Sequence, residues 1–206
     1  MIIGAFISAV VASLISYSLK KVKGDYYALA SIGLSVIMYS LFMNLEGITK
    51  GPFGIFGIAR PSLFGISFSS TISFLLFTLV IVGISAFIID KLARTHFGRV
   101  LHAIREDEDA LTPFQYNIHK YKMMVFAIGA VFASISASLY ASYISFIDPS
   151  SFTLNESIFL LTVIILGGLA STRGVIAGVI ILTLLPEVLR FIGLPNEIAA
   201  QTRVIL

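Results

Sequence analysis

The sequence predicts an all-α protein, a polytopic transmembrane helical bundle with a broken helix near Gly167 and Gly168. Three observations predict it. Of 206 residues 57% are hydrophobic and only 12% charged, with a mean hydropathy of +0.98, against roughly 25% charged residues in ordinary globular proteins. Apolar runs of about 18 residues or more recur, the length needed to cross ~30 Å of hydrocarbon. The basic residues are divided unequally between successive connections, so the net charge of +3 and the pI near 9.2 report orientation in a membrane and not affinity for nucleic acid. The chain has no Cys, which excludes disulfides, Cys-ligated zinc and thiol nucleophiles.

The first span is expected at 2–19, closed by Lys20, Lys21 and Lys23. Met1 is followed at once by this apolar run with no basic residue before it, which argues against a secretory signal. A second span covers 26–45. Gly51, Pro52, Gly54, Gly57, Pro61 and Gly65 then follow too closely for a regular helix, and the segment reads as an outer loop. Residues 71–89 cross back, 123–147 cross again, and DPSSFTLNES makes a short outer turn. The last run is harder: 158–166 are too few to span alone, Gly167 and Gly168 interrupt the pattern, and Arg173 precedes a second apolar run at 174–185. Two readings stand, a broken pair of half helices or two short tilted spans. Glu187 and Arg190 are spaced to pair across one turn, and Pro186 is expected to kink the helix there. None of these three is assigned to substrate.

With this threading, the inner connections hold Lys20, Lys21, Lys23, Lys91, Arg94, Arg99, Arg105, Lys120 and Lys122, and the outer ones only Lys50 and Arg60. Nine against two is a positive-inside bias, which puts a loop at 90–122 in the cytoplasm. The chain stops at QTRVIL, and the expectation is a single permease domain over 1–206, incomplete at one or both ends.

Small residues recur four apart on helix stripes: Ala130, Ser134, Ser138, Ser142 and, beside them, Gly129, Ala133, Ala137, Ala141, Ser145. Gly4, Ser8, Ala12 and Ser16 repeat the pattern in the first span, and Gly174 and Gly178 in the last run. Such stripes let helix backbones approach where lipid offers no hydrophobic drive to associate. No charged residue or His sits near the centre of an expected span, so the chain carries no visible coupling to ions. Nor does it contain G-x-x-x-x-G-K-[ST]. Uphill transport therefore needs a partner's energy and a cytoplasmic surface for that partner.

The charge-dense segment GRVLHAIREDEDALTPFQYNIHKYK, 98–122, is where such a surface is expected. From Arg99 to Leu111 the residues Val100, Leu101, Ile104 and Leu111 share one side of a helix. Arg99, His102, Arg105, Glu106 and Asp109 share the other, and Asp107 and Glu108 interrupt the apolar side. Arg105 is spaced to pair with Glu108 or Asp109, and Thr112 before Pro113 reads as an N-cap opening a new helix. Acids on the apolar side suit a protein partner better than acyl chains; the alternative is an ordinary solvated loop. Four consecutive acids point in different directions and read as a solvated face, not a cation site. His96, His102 and His119 lack the spacing of a helical zinc pair. Nothing in the sequence supports an enzyme, and no cofactor is expected.

GRVLHAIREDE, NIHKYKMMVFAIGAVFA, LYASYISFIDPSSFTLNESIFLLTVIILGGLAS and LLPEVLRFIGLP, with KGDYYALASIGL and KGPFGIFGIARP upstream, resemble the permease subunits of branched-chain amino-acid ABC transporters, the Liv type. The resemblance covers most of the chain in order. It implies a multi-pass permease of the cell (inner) membrane, paired with a second permease subunit, cytoplasmic ABC ATPase subunits and an extracellular or periplasmic substrate-binding protein. By motif match it implies ATPase docking through Arg99, Arg105, Glu106, Asp107, Glu108, Tyr121 and Lys122. The family commonly reads AAEALG where this chain has ALTPFQ at 110–115, so Pro113 and Gln115 replace small residues there. Gly167 and Gly168 match a family GG. A helix break there either exposes backbone groups to a polar solute near the midplane or permits a close helix contact. The function expected is an ATP-driven importer for branched-chain or other small apolar amino acids. The alternatives are a stand-alone channel or facilitator for a small neutral solute such as urea or an amide, and a noncatalytic scaffold subunit.

Overall fold

In the computed structural model, residues 1–191 are described except 23–24, 64–65, 69, 109–110, 112–113, 115 and 169–170; the side chains at 21, 25, 62–63, 66–67, 186–187 and 189–191 also lie outside the description. The expected pairing of Glu187 with Arg190, the side chain of Pro186, the Thr112–Pro113 cap, Gln115 and Asp109 therefore all fall outside it.

Eight helices run through the described residues: α1 Ile2–Ser18, α2 Asp25–Asn44, α3 Glu46–Thr49, α4 Thr71–Ala93, α5 His96–Glu106, α6 Ile118–Ile144, α7 Leu154–Gly167 and α8 Thr172–Phe191. Four segments are long and apolar enough to cross a membrane, at Tyr26–Asn44, Thr71–Ala93, Ile118–Ile144 and Pro149–Gly167. The 17 residues of α1 meet the lower end of the spanning range of ~17–25. Large apolar side chains such as Phe6, Leu79 and Phe87 stand exposed along these helices. That is the surface of an element whose solvent is hydrocarbon, and the protein is an all-α multi-pass membrane protein.

Two compact units divide the chain, Met1–Asp148 and Pro149–Leu206. In the first, α1 packs along α6. The small-residue stripes explain how: a Cβ on Gly4 would lie 3.2 Å from the Ser134 hydroxyl, and Ala12 and Ser16 are buried on the same side of α1. Gly129 has open space beside it and Ala133 is exposed, so the start of the second stripe faces away. The α2–α4 connection is not a slack loop. It holds α3, a 3₁₀ turn Gly51–Phe53, strand β1 Ile55–Phe56 and a small hairpin of β2 Ser62–Leu63 with β3 Ile66–Ser67. Strand β1 pairs antiparallel with β4 Phe146–Ile147, just past α6. The pairing is close because Gly54 (φ 65°) has no side chain; a Cβ there would sit 2.6 Å from the Ile147 carbonyl oxygen. These short strands were not expected from the sequence, since two residues are too few to carry a readable alternation.

In the second unit a 3₁₀ turn, Pro149–Ser151, leads into α7, which begins four residues before the run expected at 158–166. The expected break is present: α7 ends at Gly167, Gly168 has φ 99°, and α8 starts at Thr172. The two helices fold back on each other. A Cβ on Gly167 would meet the Gly174 carbonyl oxygen at 2.5 Å, and one on Gly178 would meet the Gly167 Cα and Val163 oxygen at 2.9 Å. Val163 and Leu182 are buried in this hairpin.

Candidate functional site

The charged segment begins with a sharp reversal at the end of α4. Arg94 pairs with Asp90 at 3.0 Å in the last turn. The Thr95 hydroxyl donates to the Leu92 carbonyl at 2.6 Å, and α5 starts at His96. Gly98 lies so close to this reversal that a Cβ would run into the Ala93 carbonyl oxygen. Gly98 and Val100 are buried, while Arg99, His102, Arg105 and Glu106 are exposed. The amphipathic pattern thus folds as expected, one face on the protein and one open.

The far end differs from the sequence expectation. The helix was expected to run to Leu111, but it ends at Glu106, and Asp107 is extended (φ −157°, ψ 111°). Asp107 and Glu108 therefore do not interrupt an apolar helix face. Arg105 pairs with its neighbour Glu106 at 2.8 Å, not with Glu108. Glu108 instead accepts from Lys122 at 2.6 Å, both side chains being about two-thirds buried. The physical reason is competition: a pair across one exposed turn contributes a few tenths of a kcal/mol, whereas Lys122 offers a better shielded partner where α6 begins. The Arg105 guanidinium, by hydrogen bond first and by charge second, holds the Glu106 carboxyl below its ordinary pKa.

Aromatic rings fasten α5 to the start of α6. Phe97 stacks on Tyr121 with ring centroids 5.7 Å apart, Tyr116 meets Tyr121 edge-on at 6.1 Å, and His96 approaches Tyr116 at 6.2 Å. Asn117 caps α6 by accepting from the Lys120 amide at 3.2 Å, so α6 starts five residues before the span expected at 123–147. The seven residues expected to dock thus separate into two groups. Arg99, Arg105, Glu106 and Asp107 lie on the exposed side. Glu108, Tyr121 and Lys122 are half-buried and engaged within the chain, Glu108 with Lys122 and Tyr121 with Phe97. Phe97, Tyr116 and Gly98 were not singled out from the sequence, although the aromatic residues flanking the charged run were a readable signal.

Gly167 and Gly168, the expected pathway residues, sit at the turn of the α7–α8 hairpin. The Gly168 amide donates to the Ile165 carbonyl at 3.2 Å, and its own carbonyl accepts from the Ser171 amide at 3.3 Å. Its backbone is thus engaged locally, and Gly167 is filled by α8.

The sequence matches the family described as branched-chain amino acid transport system, permease component, over residues 1–205. The chain belongs to this family. Within the branched-chain amino-acid permease family, it is 33% identical over 211 residues to the high-affinity branched-chain amino acid transport system permease protein LivM of Escherichia coli K12, covering 91% of this chain and 50% of that protein. The LivM of Salmonella typhimurium LT2 is 32% identical with the same coverage. A probable LivM of Methanocaldococcus jannaschii is 26% identical over 96% of this chain and 59% of its own length. The chain thus spans about half the length of the relatives it matches. No solved structure matches it.

Proposed function

We propose that this permease-family chain is the membrane subunit of an ATP-driven importer for branched-chain or other small apolar amino acids. It works in the cell (inner) membrane with a second permease subunit and an external substrate-binding protein. Cytoplasmic ABC ATPase subunits supply the energy and dock on α5, and 1–206 acts as one permease domain. The observation that carries the reading is the form of α5, one face clamped by Val100, Phe97–Tyr121 and Glu108–Lys122, the other presenting Arg99, Arg105 and Glu106. A helix held this rigidly can pass a push from a partner into α4 and α6, which a slack loop cannot. In this reading Gly167 is a close-packing residue, and only Gly168, with open space above its Cα, borders a solute path.

The test is purification from native membranes beside the Arg99→Ala, Arg105→Ala, Glu106→Ala variant, which leaves the fasteners intact. An ABC ATPase should accompany the parent chain and be lost from the variant, and solute flux in vesicles should require ATP. Flux without ATP and without an accompanying ATPase would replace the importer by a facilitator.

A further inference from the structure

The α2–α4 connection exposes three large apolar side chains: Ile48 is 75% exposed, Phe53 76% and Phe56 72%. Three features together say what covers them. The first is depth. From Lys122 to Ile144, α6 rises about 33 Å at ~1.5 Å per residue, against ~30 Å of hydrocarbon. The β1–β4 pairing holds Phe56 opposite Phe146, two residues past that end, with the two rings 4.5 Å apart. Phe56 is therefore level with the boundary between acyl chains and headgroups, near the exposed Tyr143 in the last turn of α6.

The second feature is the backbone. The amides of Ile48 and Thr49 donate to the Leu45 carbonyl, that of Lys50 to Glu46, Phe53 to Lys50, Gly54 to Gly51, and Gly57 and Ile58 both to Ser145. The Gly51 amide donates to the Thr49 hydroxyl, and Pro52 has no amide hydrogen. Engagement of these amides lowers the cost of setting this backbone beside lipid, where unpaired polar groups find no water. The third is continuity: residues 46–58 leave directly from Tyr26–Asn44, a segment long and apolar enough to cross a membrane and with none of its apolar window buried.

We infer that residues 46–58 form an in-plane wedge whose Ile48, Phe53 and Phe56 side chains lie among acyl chains at the headgroup boundary, in the leaflet opposite the charged segment. The partner is lipid. The depth argument holds whichever way the chain is oriented, and does not rest on the importer reading.

The chain has no Trp, so Phe53→Trp and Phe56→Trp each report without background. In vesicles, both should lose most of their emission to lipids brominated near the headgroup, less to lipids brominated near the acyl terminus, and little to aqueous iodide. Leu79→Trp, on the exposed face of α4, should show the opposite order of bromine positions. Quenching by iodide comparable to that of free tryptophan would overturn the wedge, as would protection from both quenchers, which would mean a protein cover. The unmodified chain gives a second reading. A lipid carrying a photoreactive group near its headgroup should label the peptide 46–58, and labelling of α4 without it would overturn the proposal.

Discussion

Glu108 and Lys122 are 14 residues apart in sequence and in contact at 2.6 Å, just past the end of α5 at Glu106. Removing either charge leaves the other in a site that is only about one-third exposed. A double-mutant cycle with Glu108→Ala and Lys122→Ala is expected to give a coupling of about 1 kcal/mol, at the upper end for partly shielded pairs, by reversible unfolding in mixed micelles. The same cycle on Arg105 and Glu106, both well exposed, is expected to give close to zero. Glu106 makes a separate prediction by pH. Its carboxyl is held below the ordinary value by Arg105, so whatever the pair contributes is present above the unfolded pKa and lost as pH falls through the lowered folded one. Nothing should change between neutral pH and the upper carboxylate range. In a carboxyl carbon NMR titration, Arg105→Ala should return Glu106 toward its ordinary midpoint.

At the scale of elements, glycines tell packed faces from open ones. Gly178→Ala puts a methyl 2.9 Å from the Gly167 Cα and the Val163 carbonyl oxygen. The contact is with backbone, so the hairpin must spread, at a cost of about 1–3 kcal/mol. Gly33→Ala and Gly83→Ala, inside helices with nothing within 4 Å, are expected to be neutral or to stabilise by roughly 0.5–1 kcal/mol. Loss of helical signal against denaturant separates the two groups, and equal effects would mean that the α7–α8 hairpin is not closely packed. This contrast also marks what was legible beforehand. Length and hydropathy placed the spans near 26–45 and 71–89 within a few residues, because lipid enforces one simple period and length. The Gly4 and Gly178 stripes were readable as close packing, but not which stripe of α6 would face α1, since the choice between Ser134 and Gly129 depends on a partner in space. The end of α5 and the β1–β4 pairing were hidden for the same reason. Lys122 and Phe146 act across the chain, and a local pattern carries no trace of them.

For the whole molecule, orientation decides between functional readings. Nine basic residues on one side against two on the other predict that the α5 side stays in the cytoplasm. The absence of Cys lets single thiols report it. His102 is exposed on α5 and Lys50 is exposed beyond α2, so His102→Cys and Lys50→Cys probe opposite ends of the spans. With a membrane-impermeant maleimide, Lys50→Cys should be labelled in intact cells and His102→Cys only after the membrane is opened. The reverse result would put Arg99, Arg105 and Glu106 outside, away from any ATP-hydrolysing partner, and the importer reading would fail. The wedge at 46–58 would survive that reversal, because its depth follows from the length of α6 and not from its direction. Labelling of both thiols in intact cells would mean that Thr71–Ala93, the span between them, does not cross, whatever its hydropathy.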